Sequence, residues 1–145
     1  MSRRRDTLSY IITASRRRPR GEEAWRSCSQ AINAVSVNVG SYTEFECLAV
    51  KLVGRRARSV RVACIYKPPG AVSSAFTDQL CPLLDQLVLL NSRFVVVDDF
   101  NTPGDIAGQI NQHVVDVFTQ YGLHQHVNVP THVRGNVLDL IVSDD

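Results

Sequence analysis

Two carboxylates and an amide follow directly on a short apolar run, and these residue types could do chemistry. Asp98, Asp99 and Asn101 come after Phe94–Val97, a β-branched run that predicts a buried strand. Active sites of open α/β sheets lie just beyond the carboxyl ends of strands, and oxygen ligands suit a divalent cation. Asp and Asn also favour turns, and Thr102-Pro103-Gly104 has turn composition, so this stretch taken alone favours a structural interpretation.

Two further segments place polar residues at or inside apolar runs. Tyr66 ends the run 60–66 and is followed by Lys67-Pro68-Pro69-Gly70. Asp139 lies within the apolar run 137–142, downstream of Pro130-Thr131-His132. Taken alone, Tyr66 could cap a buried strand with its hydroxyl in water, and Asp139 could pair with a structural arginine.

In order and spacing, these segments resemble the endonuclease/exonuclease/phosphatase family. Within it, they resemble the apurinic-type endonuclease domain of non-LTR (LINE-like) retrotransposons. The resemblance covers about residues 42–143. The matching segments are Tyr66–Pro69, Asp98–Asn101, Pro130–His132 and Gly135–Ile141.

The resemblance implies magnesium-dependent hydrolysis of a phosphodiester bond in DNA. By analogy, Asp99 orients or deprotonates the attacking water, and Asn101 holds a phosphate oxygen. Tyr66 donates to the phosphate, and Asp139 orients a catalytic histidine. Spacing of i and i+2 on an extended segment could place Asp99 and Asn101 on one side. Asp98 and Asp99 are the candidate ligands for Mg²⁺.

The sequence also departs from the family pattern. The family has a metal-binding Glu upstream of the Tyr motif, whereas Glu44 and Glu46 match the start of the strand that follows it. The family's Ser-Asp-His comes some tens of residues after the position of Asp139, but the sequence stops at Asp145. Asp98 stands where the family has Gly, which permits a backbone conformation that is costly for other residues. We therefore expect a C-proximal portion of an endonuclease domain that nicks DNA weakly or not at all.

Two other functions fit the same residues. One is a catalytically inactive remnant that binds nucleic acid through an arginine-rich arm, and the other is a phosphodiesterase from another branch of the fold. The net charge is +2, but the first twenty residues are strongly basic and the acidic residues dominate after Arg93. A solvated arm explains the arginines as well as nucleic-acid contact does. The arm contains Arg3, Arg4, Arg5, Arg16, Arg17, Arg18 and Arg20.

Composition sets the class of protein. A chain of 145 residues with 44% apolar residues is one globular domain or part of one. Cys28, Cys47, Cys64 and Cys81 form no Cys-x-x-Cys pair, which argues against a zinc ribbon; Cys47 and Cys64 are expected in the core. We find no signal peptide and no apolar run long enough to span a membrane, and expect an intracellular location, with the nucleus as one candidate. The partner expected is DNA, without an obligate protein partner.

The histidines and Thr131 receive structural interpretations. His124, His126 and His132 have no cysteine close in sequence and no His-Glu-x-x-His spacing, which argues against a metal site. Thr131 is predicted to bond backbone in a turn.

The fold class predicted is α/β, an incomplete endonuclease/exonuclease/phosphatase-type sandwich. Residues 1–40 are expected to form a basic, poorly ordered leader, with a helix over Ala24–Val35, and residues 41–145 the partial domain. Pro82 is expected to kink or divide the first helix of that domain, and Gly122 to cap the second. The predicted strands are Phe45–Val53, Val60–Tyr66, Phe94–Val97 and Val137–Val142, Val127–Val129 is predicted to be short and extended, and the helices are Ser73–Leu90 and Ile106–Tyr121.

Overall fold

The structure is a computed structural model that describes residues 33–54, 59–90 and 92–144. This part of the chain forms a mixed α/β fold with one six-stranded sheet. Its elements are β1 (Ala34–Val37), β2 (Glu46–Val53), β3 (Ser59–Tyr66), α1 (Ser74–Leu89), β4 (Phe94–Asp99), α2 (Gln112–Gln120), β5 (His124–Gln125) and β6 (Asp139–Ser143).

The strands lie in the order β1-β2-β3-β4-β6-β5. β2 and β3 pair antiparallel through a short connection, as predicted from the sequence. β3 and β4 are parallel, which requires the crossover that α1 provides. β6 then pairs antiparallel with both β4 and β5.

Both helices contribute to a core on one face of the sheet, here called the helix face. The buried side chains of α1 recur at three- and four-residue steps, which places them on one side of the helix. The sheet contributes Ala63, Ile65 and Val96 to the same core, so these positions of β3 and β4 point toward the helices. The core residues of the helices are Phe76, Leu80, Leu83, Leu84, Leu87, Val114, Val117 and Phe118.

Strand alternation gives the sheet a second apolar face. Val62 and Cys64 of β3 alternate with the helix-face residues, and together with Val50 and Val97 they form a separate buried cluster. We call this side the open face, because the apolar residues packed against its cluster, Leu48, Leu52 and Val95, also come from strands.

The two helices differ from the sequence prediction. Helix α1 runs through Pro82 without division, since five side chains buried against the sheet hold its two halves in line. Helix α2 begins at Gln112 rather than Ile106, because Asn111 caps it by accepting a hydrogen bond from the backbone N–H of His113, 3.1 Å away. Gly122 follows the helix with a φ of +66°, which confirms its predicted capping role.

The start of the described chain also differs. Ala34 and Val35 belong to β1 and not to a helix, and Val39 is buried in the core. Strand β1 is thus part of the sheet and Val39 part of the core, while a poorly ordered leader over residues 1–40 stays a prediction. Residues 1–32, including the rest of the predicted helix, lie outside the described residues. At the other end, β5 covers His124–Gln125, just before the segment predicted to be short and extended.

Candidate functional site

Three candidate residues lie at the same end of three neighbouring strands. Tyr66 is the last residue of β3, and Asp99 is the last residue of β4. Since these strands are parallel, their carboxyl ends meet at one edge, where the Lys67 backbone N–H donates to the Asp99 carbonyl over 3.0 Å. Strand β6 runs the other way, so its first residue, Asp139, lies there too and pairs with Asp99.

These residues share the open face. Asp99 lies two positions after Val97, and Asp139 lies two positions before Ile141. Val97 and Ile141 are register partners. Tyr66 is likewise two positions beyond Cys64, the partner of Val97. Because side chains two apart on a strand point the same way, the three polar side chains line one face.

Glu46 completes this line, although its sequence context had suggested only the start of a strand. It is the register partner of Tyr66 across β2 and β3, so it lies on the same face. The sequence feature that could have indicated this position is the predicted hairpin of β2 and β3. In that hairpin, the first residue of β2 lies opposite the last residue of β3. We call Glu46, Tyr66, Asp99 and Asp139 the polar row.

Asp98 lies on the other side of the sheet. It pairs with Leu140, a core residue, and is 2% exposed. A metal site built from Asp98 and Asp99 together stays a prediction. In the described part of the chain, no three His, Cys, Asp or Glu side chains form a group that could hold a metal ion.

The backbone at Asp98 has a conformation that favours glycine. Its φ is +102°, a region that L side chains rarely adopt. Of the two reasons for a glycine here, close backbone approach and a conformation costly for other residues, this φ supports the second.

Asn101 does not have the extended backbone that was expected, and its side chain makes a hydrogen bond within the protein. Its φ is +45°, so Asp99 and Asn101 are not on one continuous extended segment. Its side chain is 8% exposed, and Nδ2 donates to the Lys67 carbonyl over 2.9 Å. Asn101 therefore ties the loop after β4 to the end of β3, while a role in holding phosphate stays a prediction.

Thr131 fixes the start of β6. Its hydroxyl oxygen accepts hydrogen bonds from the backbone N–H groups of Leu138 and Asp139 at 2.9 and 3.0 Å. This confirms the predicted turn contact. The same loop closes through the Thr131 N–H, which donates to the Asn136 carbonyl over 3.0 Å. The Pro-Thr-His segment thus positions the backbone of Asp139.

Lys67 is a residue whose role sequence reasoning missed. It is 4% exposed, and its Nζ donates to the carbonyls of Pro68 and Gly70, each at 3.1 Å. The ammonium lies 5.8 Å from the centre of the Phe76 ring. Burial lowers the pKa of Lys67, and the nearby Glu44 carboxylate partly offsets this. Lys67 therefore fastens the loop that follows Tyr66.

The histidines show no arrangement typical of a metal site. His126 Nε2 lies 2.8 Å from the Ser143 hydroxyl, and Ser143 pairs with Val95 at the end of β4 remote from Asp99. His132 Nδ1 accepts from the backbone N–H of Arg134 over 3.3 Å. These contacts favour the structural interpretation.

Comparison with solved structures identifies proteins that have a similar fold. No protein-family model matches the sequence, and no curated protein does. The endonuclease domain of TRAS1, a telomere-specific non-LTR retrotransposon, matches with a TM-score of 0.57 and 13% identity over 77% of this chain and 53% of that one. The human nocturnin catalytic domain, solved with a bound sulfate anion, matches at 0.55 and 16% over 79% and 47%. A family protein from Leptotrichia buccalis reaches 0.46 at 9% identity over 68% and 42%.

The chain therefore has the α/β fold of endonuclease/exonuclease/phosphatase proteins, and its solved neighbours include a retrotransposon endonuclease domain. It spans about half the length of these two structures, at 53% and 47%, which agrees with an incomplete sandwich. At such low identities the likeness shows the fold alone. Within the described residues, no helix is both long and apolar enough to cross a membrane.

Proposed function

We propose that this chain is part of a DNA endonuclease domain of the non-LTR retrotransposon type, and that its own phosphodiester hydrolysis is weak. The observation that carries the proposal is the polar row. Tyr66, Asp99 and Asp139 come from distant parts of the sequence and line one face at one end of the sheet. The endonuclease domain of TRAS1 has the same fold, and the order of the matching motifs favours that branch.

The chemistry assigned to the polar row follows from its donors and acceptors. Asp99 accepts a hydrogen bond from the attacking water and aims it, and the Tyr66 hydroxyl donates to a phosphate oxygen. Asp99 and Asp139 are the two carboxylates that would hold Mg²⁺, which needs few protein ligands when water and phosphate oxygens complete its shell. When bound, the metal neutralises charge that develops on the phosphate.

Several expected parts of the catalytic apparatus have no counterpart. Among the described residues, no glutamate matches the metal-binding Glu expected upstream of Tyr66, and the Asn101 amide already donates to the Lys67 carbonyl. Loss of one preorganised charge-stabilising donor typically costs ~10²–10³ in rate, so two such losses leave little activity above background.

A nicking assay on supercoiled plasmid with Mg²⁺ tests this proposal. We expect slow nicking that is lost in Asp99→Ala and kept in Asp78→Ala, a matched removal of an exposed carboxylate on α1. Nicking that persists in Asp99→Ala would remove the polar row from the reaction. Fast nicking that disappears in Asp99→Ala would show that other residues of the chain complete the site.

The second candidate is a nucleic-acid-binding remnant without catalysis. It is supported by the structural engagement of Asn101 and by the arginines of residues 1–32. It predicts DNA binding without nicking, and an affinity that falls steeply with salt, since arginine–phosphate contacts release counterions. A salt titration of plasmid binding by Asp99→Ala separates the two candidates.

A third candidate function is that of a phosphodiesterase from another branch of the fold, and it is supported by the shared fold alone. An intracellular or nuclear location stays a prediction.

A further inference from the structure

A groove of about 320 Å³ opens at the end of the sheet remote from the polar row. It lies where β4 begins, between the end of α1 and the residues that follow α2. Its floor is apolar, because Phe94 and Leu123 line it and are buried. This volume is at the lower limit of small-molecule sites, so it suits a few side chains of a protein segment better than a cofactor.

The rim of the groove carries exposed apolar side chains and both signs of charge. Val88 lines the groove and is 48% exposed, and the next residue, Leu89, is 81% exposed. Neighbouring apolar side chains left in water mark sites of interaction with other molecules. Arg93 and Asp144 also line the groove, and both are exposed. An occupant therefore needs apolar side chains, one acid and one base.

Two loops at the opposite end of the molecule lie side by side. Loop 104–109 comes shortly after β4 and loop 132–135 shortly before β6, so both lie at the end of the sheet that carries the polar row. They approach closely, since a side-chain carbon at Gly108 would lie 3.7 Å from the Gly135 carbonyl oxygen. We call these two loops the loop pair.

The tips of the loop pair have the chemistry that the groove requires. Ile106 and Val133 are 63% and 97% exposed. Asp105 precedes Ile106, Arg134 follows Val133, and both charged side chains are exposed. The loop pair thus presents two apolar side chains with one acid and one base beside them.

We propose that the loop pair of one copy of this chain docks in the groove of a second copy. The apolar tips cover the floor of the groove, and Asp105 lies against Arg93. Arg134 lies against Asp144, so both charges of the rim meet an opposite charge. A copy cannot fill its own groove, because the six residues of β4, about 20 Å, separate the groove from the loop pair. The contact is therefore head-to-tail and repeats from copy to copy unless a ring closes.

This association does not depend on nuclease activity. It seats a second copy at the end of the sheet that carries the polar row. If the polar row acts as proposed above, DNA and the second copy compete for that end. Two loop tips bury less area than a standard interface, so the association is weak and requires concentrated protein.

Sedimentation equilibrium of the full chain provides the first test. The weight-average mass should rise about twofold between ~10 µM and ~1 mM protein. Ile106→Lys sets a cation against Arg93, and Val88→Glu sets a carboxylate against Asp105, so each variant should remain a monomer. Val35→Lys replaces another exposed valine, on β1, and is the matched control that should associate like the unaltered chain.

Mixing the two variants tests the contact itself. Ile106→Lys retains an intact groove, and Val88→Glu retains an intact loop pair. An equimolar mixture should therefore form a dimer with one copy of each and nothing larger. In a separate chain, Asp105→Arg should abolish association, and adding Arg93→Asp to the same chain should restore it.

Four outcomes overturn the proposal. A chain that stays monomeric at ~1 mM would leave the groove to another protein. Association that persists in Ile106→Lys or Val88→Glu, or that is lost in Val35→Lys, would assign it to other surfaces. A mixture of the two variants that stays monomeric would show that the loop pair does not enter the groove. Failure of Arg93→Asp to restore association would remove the charge pairing on which the choice of occupant rests. None of these measurements uses nicking, so failure here is distinguishable from failure of the proposed function.

Discussion

Asp99 and Asp139 face each other as register partners across the antiparallel strands β4 and β6. Directly opposite residues of such a pair have Cα atoms about 4.5–5.5 Å apart and share a face. Like charges in this position destabilise a sheet unless a cation or donor lies between them. The pairing therefore brings two carboxylate residues opposite each other, in addition to the adjacent Asp98 and Asp99 that were predicted from the sequence.

The first prediction concerns Mg²⁺. Weak binding, followed by NMR shifts of backbone amides in β4 and β6, should disappear in Asp99→Asn and in Asp139→Asn, because each removes one of the two facing carboxylates. Asp98→Asn is the control and should leave the titration unchanged, since Asp98 pairs with Leu140 on the helix face. Loss of the shifts in Asp98→Asn and Asp99→Asn but not in Asp139→Asn would favour the pair predicted from the sequence.

The second prediction concerns backbone strain at Asp98. A side chain at a φ of +102° is strained, and glycine relieves the strain. Asp98→Gly should therefore be more stable than Asp98→Ala by about 1 kcal/mol in urea unfolding, even after the entropy that glycine loses on folding. Both variants remove the carboxylate, so their difference isolates the backbone. Equal stability of the two would show that this conformation carries no strain.

Continuous apolar runs and helical periodicity predicted most of the fold. β3, β4 and α1 lie within one or two residues of their predicted bounds, because burial on a sheet or a helix side fixes those patterns. The start of α2 was wrong because Ile106 is exposed and the chain there forms a loop, in which the Gly104 N–H donates to the Gln109 carbonyl over 2.8 Å. Local apolar residues resemble a helix face whether or not they are buried.

The candidate site was predictable where it depends on strand ends. Tyr66 and Asp99 had to meet once β3 and β4 were parallel. Glu46 was set aside because its position opposite Tyr66 depends on the register of β2 against β3, which a local sequence pattern does not fix. The left-handed backbone of Asn101 likewise depends on its long-range bond to Lys67, which no local pattern shows.

The third prediction concerns Thr131. Thr131→Val keeps the shape of the side chain but leaves the N–H groups of Leu138 and Asp139 without their acceptor. We expect a loss of about 1–2 kcal/mol in the free energy of unfolding and faster amide exchange at these two positions. Thr131→Ser retains the hydroxyl and is the control. Equal exchange in the two variants would mean that water replaces the hydroxyl at no cost.

The last prediction is a loss of stability at alkaline pH that is traceable to Cys47. This thiol packs against the helix-face core, and burial raises its pKa from an ordinary 9.0 to about 12. The folded state therefore favours the neutral thiol. Its contribution is complete below pH 9.0 and is lost as the pH rises toward 12. The slope for one such group approaches about 1.4 kcal/mol per pH unit.

The measurement compares the free energy of unfolding of the unaltered chain and of Cys47→Ala, under reducing conditions, from pH 7 to pH 10.5. Cys47→Ala should be the less stable protein at pH 7, because it removes buried volume, and the difference should shrink above pH 9. Burial and the hydrogen bond to Asp85 raise the pKa of Tyr121, and burial lowers that of Lys67. Both effects are common to the two proteins and cancel in the difference. If the two curves of unfolding free energy against pH run parallel, Cys47 ionises as readily in the folded state as in the unfolded chain. That result would mean that the start of β2 opens and exposes the thiol to water.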